Sequence, residues 1–211
     1  MNRFTYLMFL MTLIYQIVAY SQTNYFGLKL GIQSAGVSDN QFAEGRILGF
    51  SIYGFVDLNI SHNFNSTIEL GLTQRGYKNK MIETSEEGEF IQDVIATSKV
   101  TYISISPFVD YNIFLPSNII YLGIAPRFDI LVNKEPGKFS FTTITITDEL
   151  INYLDKTIWG ISFVAGIKDI KLSGINFRIE GKYEMDITDS LSKYPANYKN
   201  NVLMLLIGVN I

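Results

Sequence analysis

The chain has 211 residues, a length typical of one domain of moderate size. Charged residues make up 18% of the sequence, below the roughly 25% of an ordinary soluble domain, while aromatic residues make up 14%. The formal net charge of -3 gives no sign of a nucleic acid partner, and the absence of cysteine excludes disulfides and thiolate metal sites.

Residues 1–22 have the features of a secretory signal peptide. Arg3 supplies a positive start, residues 4–18 are mostly apolar, and Ala19-Tyr20-Ser21 places small residues where a signal peptidase reads them. An N-terminal membrane anchor is the alternative, but the apolar run is shorter than the roughly 20 residues of a spanning helix. We therefore expect cleavage near Ser21 or Gln22, which leaves residues 23–211 as one barrel domain.

Eight later segments alternate apolar and polar residues with a period of two, which indicates strands with one apolar face. They span residues 24–33, 46–58, 64–77, 100–114, 119–132, 157–168, 174–186 and 201–211. Each is long enough to cross a bilayer, for which a tilted strand needs about 9–11 residues. Pro107 and Pro126 lie inside two of these segments. We expect a bulge or a local break at each, because proline cannot donate to the strand ladder.

The connections between the segments alternate in length. Residues 59–63, 115–118 and 169–173 are tight turns, and residues 34–45, 78–99, 133–156 and 187–200 are long connections. Outer-membrane barrels have this pattern, with short turns in the periplasm and long loops outside the cell. The sequence therefore predicts an all-β fold, an eight-stranded antiparallel up-and-down transmembrane β-barrel.

The connection 133–156 has features of local structure. Phe139, Phe141, Ile144 and Ile146 alternate with polar residues, which favours strands that project beyond the membrane. Residues 148–154 are expected to form one or two helical turns, with Thr147 or Asp148 as the cap.

The orientation of the faces decides between a soluble barrel and a membrane barrel. In a soluble barrel the apolar face is the core, whereas in an outer-membrane barrel it meets lipid and the charges fill the lumen. The polar faces contain many glycines and few lysines, unlike a solvated surface, and a narrow lumen needs small residues. Large rings near the ends of the apolar faces match two aromatic belts at the membrane boundaries. The membrane orientation is therefore favoured.

This orientation places charges of both signs inside the barrel. The residues predicted for a polar network in the lumen are Lys29, Asp57, Glu69, Arg75, Asp110, Arg127, Asp129, Arg178, Glu180, Lys182 and Glu184, with Asp186 at the end of the same strand. Pairing is expected, because an unpaired buried charge costs several kcal/mol. A conduction or proton path is the alternative, which the small lumen of an eight-stranded barrel disfavours.

The sequence offers little catalytic or metal-binding chemistry. His62 is the single histidine and lies in a short turn, so no Ser-His-Asp triad can be assembled around it. With one histidine and no cysteine, a zinc site is not expected. The acidic residues Glu83, Glu86, Glu87, Glu89 and Asp93 lack the spacing of a calcium loop. We expect no enzyme activity, no cofactor and no metal.

Five short segments resemble the PorT-like outer-membrane β-barrel family of Gram-negative bacteria. They are Phe26-Gly27-Leu28-Lys29-Leu30-Gly31, Gly49-Phe50-Ser51-Ile52-Tyr53, Ile68-Glu69-Leu70-Gly71-Leu72-Thr73-Gln74-Arg75-Gly76, Tyr102-Ile103-Ser104-Ile105-Ser106-Pro107 and Tyr121-Leu122-Gly123-Ile124-Ala125-Pro126. The resemblance spans nearly all of the mature chain. It implies an eight-stranded membrane barrel without a recognised active site.

We therefore expect a non-enzymatic integral barrel of the cell outer membrane, surrounded by lipid, that presents external loops. Loops 78–99 and 133–156 are the candidate contacts with a protein partner. The first alternative is a soluble, secreted or periplasmic barrel that binds an apolar ligand, as lipocalins do. The second is a barrel enzyme that acts on lipid or peptide, which the lack of histidines disfavours.

Overall fold

The structure, a computed structural model, describes residues 24–38, 43–85, 87–142, 145–190 and 199–211. The expected signal peptide and its cleavage site lie outside the described residues. Within the described residues, no helix is long and apolar enough to cross a membrane.

Strands account for most of the described chain. In chain order they are β1 (Asn24–Ser38), β2 (Ala43–Gly45), β3 (Ile47–Asn59), β4 (Phe64–Thr84), β5 (Phe90–Phe114), β6 (Ile119–Glu135), β7 (Lys138–Ser140), β8 (Thr145–Thr147), β9 (Thr157–Leu172), β10 (Ile175–Asp186) and β11 (Lys199–Asn210). A short 3₁₀ helix, Leu150–Tyr153, lies between β8 and β9.

Eight long strands of the described chain form a closed antiparallel ring. Each strand pairs with its neighbours in the order β1, β3, β4, β5, β6, β9, β10 and β11, and β11 pairs back with β1. Short β2 lies on the edge of β4, and β7 and β8 form a separate two-stranded hairpin. The predicted eight-stranded up-and-down barrel is confirmed. Closure leaves no free strand edge at the level of the membrane.

The strands on the loop side extend further than the sequence predicts. The prediction of a long loop at 78–99 is wrong, because β4 and β5 stay paired from Lys78↔Thr97 to Glu83↔Gln92. The predicted loops 34–45, 133–156 and 187–200 also contain strand residues at their ends. Beyond the bilayer an outward face has no need to be apolar, so the alternation that identifies a strand weakens there.

Pro107 and Pro126 interrupt one ladder together. The register of β5 with β6 is the same at Ile105↔Phe128 and Val109↔Ile124, and no pairs form between these positions. The two prolines therefore lie opposite each other in a shared local break, as expected for residues without an N–H. Of the two expected outcomes, a bulge or a local break, the structure has the local break at both sites. The register shift in this ladder lies between Thr101 and Tyr102.

The polar faces of the strands point inward and the apolar faces point outward. On β10, Arg178 and Glu180 are 2% and 0% exposed, whereas Ile179 is 45% exposed. On β11 the residues of both faces are apolar, yet Leu205 is 52% exposed and Leu206 is fully buried. The odd or even position of a residue along the strand, rather than its hydrophobicity alone, thus decides whether its side chain points inward or outward. A band of exposed apolar side chains surrounds the barrel, as lipid requires.

Aromatic side chains pair across strands near both ends of the outward face. Phe128 and Trp159 are register partners with ring centroids 4.7 Å apart. Phe64 and Tyr111 are partners near the opposite end, with centroids 5.2 Å apart. These positions match two belts at the boundaries between lipid and water.

An apolar cluster closes the lumen at the loop end. Ile151 of the 3₁₀ helix and Leu154 pack on Tyr102 and Ile158, and all four side chains are buried. The helix begins after Glu149, which makes no side-chain cap, so the predicted capping by Thr147 or Asp148 is wrong. Asp148 instead accepts hydrogen bonds from Asn79 and Ser98 on the strand walls.

Candidate functional site

The candidate site is the charged interior of the barrel. Every residue predicted for the lumen network lies inward and is at most 3% exposed: Lys29, Asp57, Glu69, Arg75, Asp110, Arg127, Asp129, Arg178, Glu180, Lys182 and Glu184. They come from β1, β3, β4, β5, β6 and β10. The structure brings them into three neighbouring groups along the barrel axis.

The first group lies below the apolar cluster at the loop end. Arg75 of β4 reaches Asp129 of β6 at 2.6 Å and Glu184 of β10 at 2.8 Å. Arg127 binds the same two carboxylates, at 2.8 and 3.1 Å, and also pairs with Asp186. Two guanidinium groups thus share three carboxylates through ion pairs and charge-assisted hydrogen bonds.

The second group lies in the middle of the lumen and is centred on Glu69. Lys29 and Lys182 each place their ammonium nitrogen 2.5 Å from one of the two Glu69 oxygens. Lys29 also lies 2.5 Å from Glu180, which accepts a hydrogen bond from the hydroxyl of Tyr121. Because β4 and β10 are not neighbours in the ring, the Glu69–Lys182 pair crosses the lumen.

The third group lies near the turn end. Arg178 pairs with Asp57, and Lys168 lies 3.1 Å from Asp110. Thr67 donates to Asp57 at 2.7 Å. Lys168 was not predicted for the network. It could have been, because it lies an even number of residues from Ser162 and Gly166 on the same strand and therefore shares their inward face.

Aromatic rings fill the space between these charges. The ammonium of Lys182 lies 4.3 Å from the ring centre of Tyr53 and 4.8 Å from that of Phe108. The guanidinium of Arg178 lies 3.9 Å from the ring centre of Phe55. Cation–π contacts of this kind stabilise cations that have lost water.

The inward glycines make room for these long side chains. A Cβ atom at Gly71 would lie 2.4 Å from the Tyr53 ring, and one at Gly160 would lie 2.6 Å from the Arg127 guanidinium. The glycine-rich polar face seen in the sequence is therefore a packing requirement of a narrow lumen.

The middle of the lumen leaves little free space. Between Glu69, Phe108 and Arg178 the cavity measures about 10 Å³, near the lower limit for one water molecule. The arrangement therefore suits a rigid, filled barrel better than an aqueous channel.

Beyond the membrane, the β4–β5 hairpin and the β7–β8 hairpin pack together. Phe139 of β7 is buried against Val94 and Ala96 of β5. The side chain of Gln92 and the backbone N–H of Thr142 donate to the Glu83 carboxylate, and these hydrogen bonds hold the pKa of Glu83 below its ordinary value. The described parts of the two long connections thus form one protrusion, which we define as residues 78–85, 87–99, 135–142 and 145–148.

The acidic residues of the long connections and His62 are dispersed in the described structure. No group of three or more His, Asp or Glu side chains there could hold a metal ion. Glu83 and Asp93 lie on paired strands, while Glu87 and Glu89 lie at the hairpin turn and Glu86 lies outside the described residues. His62 lies exposed in a short turn and stacks on Phe114, with ring centroids 4.8 Å apart.

The closed ring, apolar exterior and ion-paired interior define a membrane-spanning β-barrel of the outer-membrane class. The family model described as "Outer membrane protein beta-barrel domain" matches residues 20–192. The chain belongs to this family, and its place is the cell outer membrane. Nothing favours the soluble lipocalin-like alternative, because the apolar faces point away from the lumen.

Comparison with solved structures gives distant likenesses. Neisserial surface protein A is 14% identical, with a TM-score of 0.49, and the superposition covers 90% of this chain and 100% of that one. Ail, the attachment invasion locus protein of Yersinia pestis, is 13% identical with a TM-score of 0.45 and the same coverage. OprG of Pseudomonas aeruginosa is 7% identical with a TM-score of 0.43, covering 91% of this chain and 97% of that one. No curated protein matches the chain.

Proposed function

We propose that the protein is a non-enzymatic barrel that holds its outer protrusion rigidly above the membrane for contact with a protein partner. The structure of the protrusion is the observation that supports this proposal. Strands β4 and β5 remain paired well beyond the aromatic belt, and the second hairpin buttresses them. A stiff, preorganised hairpin loses little conformational entropy on binding.

The surface of the protrusion has the composition of a contact site. Four apolar side chains near its tip are strongly exposed: Ile82 at 60%, Phe90 at 63%, Ile91 at 49% and Ile95 at 59%. Apolar patches of this kind on a soluble surface mark interaction sites. These residues lie beyond the rows that face lipid, so the membrane does not account for their exposure.

The edge of β5 adds a second means of contact. Among the described residues β5 pairs with β6 only from Lys99 onward, while its pairing with β4 begins at Phe90. Gly137 lies against the backbone of Thr97, so the part of β5 without a second strand partner among the described residues runs from Phe90 to Ala96. A partner can add a strand to such an edge, with Ile91 and Ile95 supplying side-chain contacts.

The lumen network supports this role by fixing the wall from which the protrusion rises. The proposed contribution of Lys29, Asp57, Glu69, Arg75, Asp110, Arg127, Asp129, Arg178, Glu180, Lys182 and Glu184 is structural. Ion pairs that cross the lumen tie non-adjacent strands together, so the barrel resists deformation.

Photo-crosslinking in intact cells tests the proposed function. A photoreactive amino acid at Ile95 should give a discrete protein adduct, and the substitution Ile91→Asp should abolish it. The same amino acid at Ile187, which is 54% exposed on the same side of the barrel and lies outside both candidate contact loops, serves as the control. Absence of an adduct at Ile95 in a correctly folded barrel would contradict a partner-binding role.

Two finer assignments remain proposals. The resemblance of the segments around Gly31, Gly71 and Gly123 supports membership of the PorT-like branch, without implying its members' roles. The composition of residues 1–22 supports a signal peptide. Determining the N-terminal residue of the mature protein tests the second proposal, and a terminus far from Gln22 would contradict it.

A further inference from the structure

A polar vestibule opens at the turn end of the barrel, opposite the protrusion. Its volume is about 590 Å³, within the roughly 300–1,000 Å³ of small-molecule sites. The floor is the third charged group of the lumen, with Asp57, Lys168 and Arg178. The wall and rim include the turn residues Ser61 and His62. The vestibule faces the periplasm, because the short turns of outer-membrane barrels lie on that side.

The charges at the floor are already neutralised by one another. Arg178 pairs with Asp57, and Lys168 pairs with Asp110 at 3.1 Å. A charged ligand would have to compete with these buried pairs, and breaking such a pair is strongly unfavourable. The floor therefore favours a neutral ligand.

The remaining polar lining consists of four asparagines and of Asp169, whose carboxylate disfavours an anionic ligand and can accept hydrogen bonds from hydroxyl groups. Asn65, Asn112 and Asn210 line the vestibule together with Asn59. An asparagine amide offers both donors and acceptors, which suits hydroxyl and acetamide groups. Asn210 Oδ1 already accepts from Arg178 at 2.9 Å, whereas the buried Oδ1 of Asn112 has no hydrogen-bond partner among the described residues. At the rim, His62 stacks on Phe114 with an interplanar angle of 18°, so each ring covers one face of the other and keeps one flat outer face. Amides combined with a flat aromatic surface match the alternating hydroxyl and C–H faces of a sugar.

We propose that this vestibule binds a neutral oligosaccharide whose sugars carry hydroxyl and acetamide groups. The ligand enters from the periplasm and lies between the asparagine side chains and the ring surface. Both a free saccharide and the glycan strands of the cell wall have this chemistry, so the experiment includes an arm for each.

Binding is measured on the full-length mature barrel in lipid nanodiscs. The probe is a trimer of N-acetylglucosamine, followed by chemical shifts of the backbone amides. We expect shifts at residues 59–65 and 112–114 and a dissociation constant in the millimolar range. Purified cell-wall glycan, as a pull-down, provides the second arm. If the glycan retains the barrel in the pull-down, the ligand is the cell-wall glycan. If the barrel binds the trimer but not the glycan, the ligand is a free saccharide.

Two matched variants locate the site. Ser61→Trp places a large side chain at the vestibule mouth and should weaken trimer binding about tenfold or more, a loss of about 1.4 kcal/mol. Ser117→Trp makes the same change in another short turn at this end, outside the lining of this cavity, and should leave binding unchanged. Heat-modifiable migration on a detergent gel verifies folding of both variants.

Three results would overturn the proposal. The first is the absence of vestibule shifts with the trimer at about 10 mM, a concentration well above the expected dissociation constant. The second is equal binding by the Ser61→Trp variant and the unmodified barrel. The third is tighter binding of inorganic phosphate than of the trimer, since the site would then recognise charge.

Discussion

Removing the charge of Glu69 is the sharpest perturbation of the lumen. Glu69 is 1% exposed and holds two ammonium groups, those of Lys29 and Lys182, each at 2.5 Å. Glu69→Gln keeps the shape and removes both ion pairs. Lys29 then retains Glu180 at 2.5 Å, while the ion pair that remains for Lys182 among the described residues is the longer one with Glu184, at 3.7 Å.

The expected cost follows from leaving buried charge uncompensated. Removing one partner of a buried pair costs about 3–5 kcal/mol, and the remaining contact of Lys182 with Glu184 is long. We expect the free energy of unfolding to fall by that amount. With a slope of about 2 kcal/mol per molar urea, the unfolding midpoint falls by about 2 M.

Urea titration of the barrel in lipid vesicles, read by heat-modifiable migration on gels, measures this change. The control is Lys80→Ala on the protrusion, where Lys80 and Asp93 form a pair at 3.0 Å with side chains 30% and 43% exposed. Exposed pairs contribute about 0–1 kcal/mol. If Glu69→Gln costs no more than this control, the lumen charges do not act as a compensated network.

Three further outcomes follow from the same structure. Gly71→Ala puts a Cβ 2.4 Å from an aromatic ring in the lumen and should cost about 1–3 kcal/mol, whereas Gly181→Ala, whose nearest neighbour is 3.8 Å away, should be tolerated in the same urea titration. Leu205→Arg places a charge in the lipid band and should cost about 2–4 kcal/mol in vesicles. Because hydrogen bonds hold the pKa of Glu83 below its ordinary value, its contact with the Thr142 amide should persist down to that lowered pKa and be lost as the pH falls further. The amide shift of Thr142 follows this titration, and a midpoint at or above the ordinary glutamate value would contradict the contact.

The residues of the barrel interior were predictable because apolar and polar residues alternate wherever one face of a strand contacts lipid. Parity puts Arg178 and Glu180 on one face, the glycine-rich polar faces and the aromatic belts predict that this face is inward, and the structure places both residues there. The extent of β4 and β5 was not predictable in this way. Lys78 and Lys80 face outward above the bilayer, where polar and apolar residues are equally acceptable, so the stretch resembled a loop.

The sequence also could not predict which charged residues form ion pairs across the lumen. Arg75 and Glu184 are 109 residues apart and belong to strands that are not neighbours in the ring. Which inward residues meet depends on the stagger between strands and on the curvature of the closed sheet. Strand order alone fixes neither quantity. Likewise, the shared break of Pro107 and Pro126 depends on the β5–β6 register, which brings the two prolines opposite each other.

Photolabelling from lipid tests the orientation of the faces most directly. Strand β11 is suited to it, because both of its faces are apolar and the label cannot discriminate by side-chain chemistry. In vesicles with a diazirine on the acyl chain, Leu203, Leu205 and Ile207, each more than half exposed, should carry adducts. Met204 and Leu206, which are at most 2% exposed, should carry none. Adducts on Met204 and Leu206 with none on their neighbours would contradict the account.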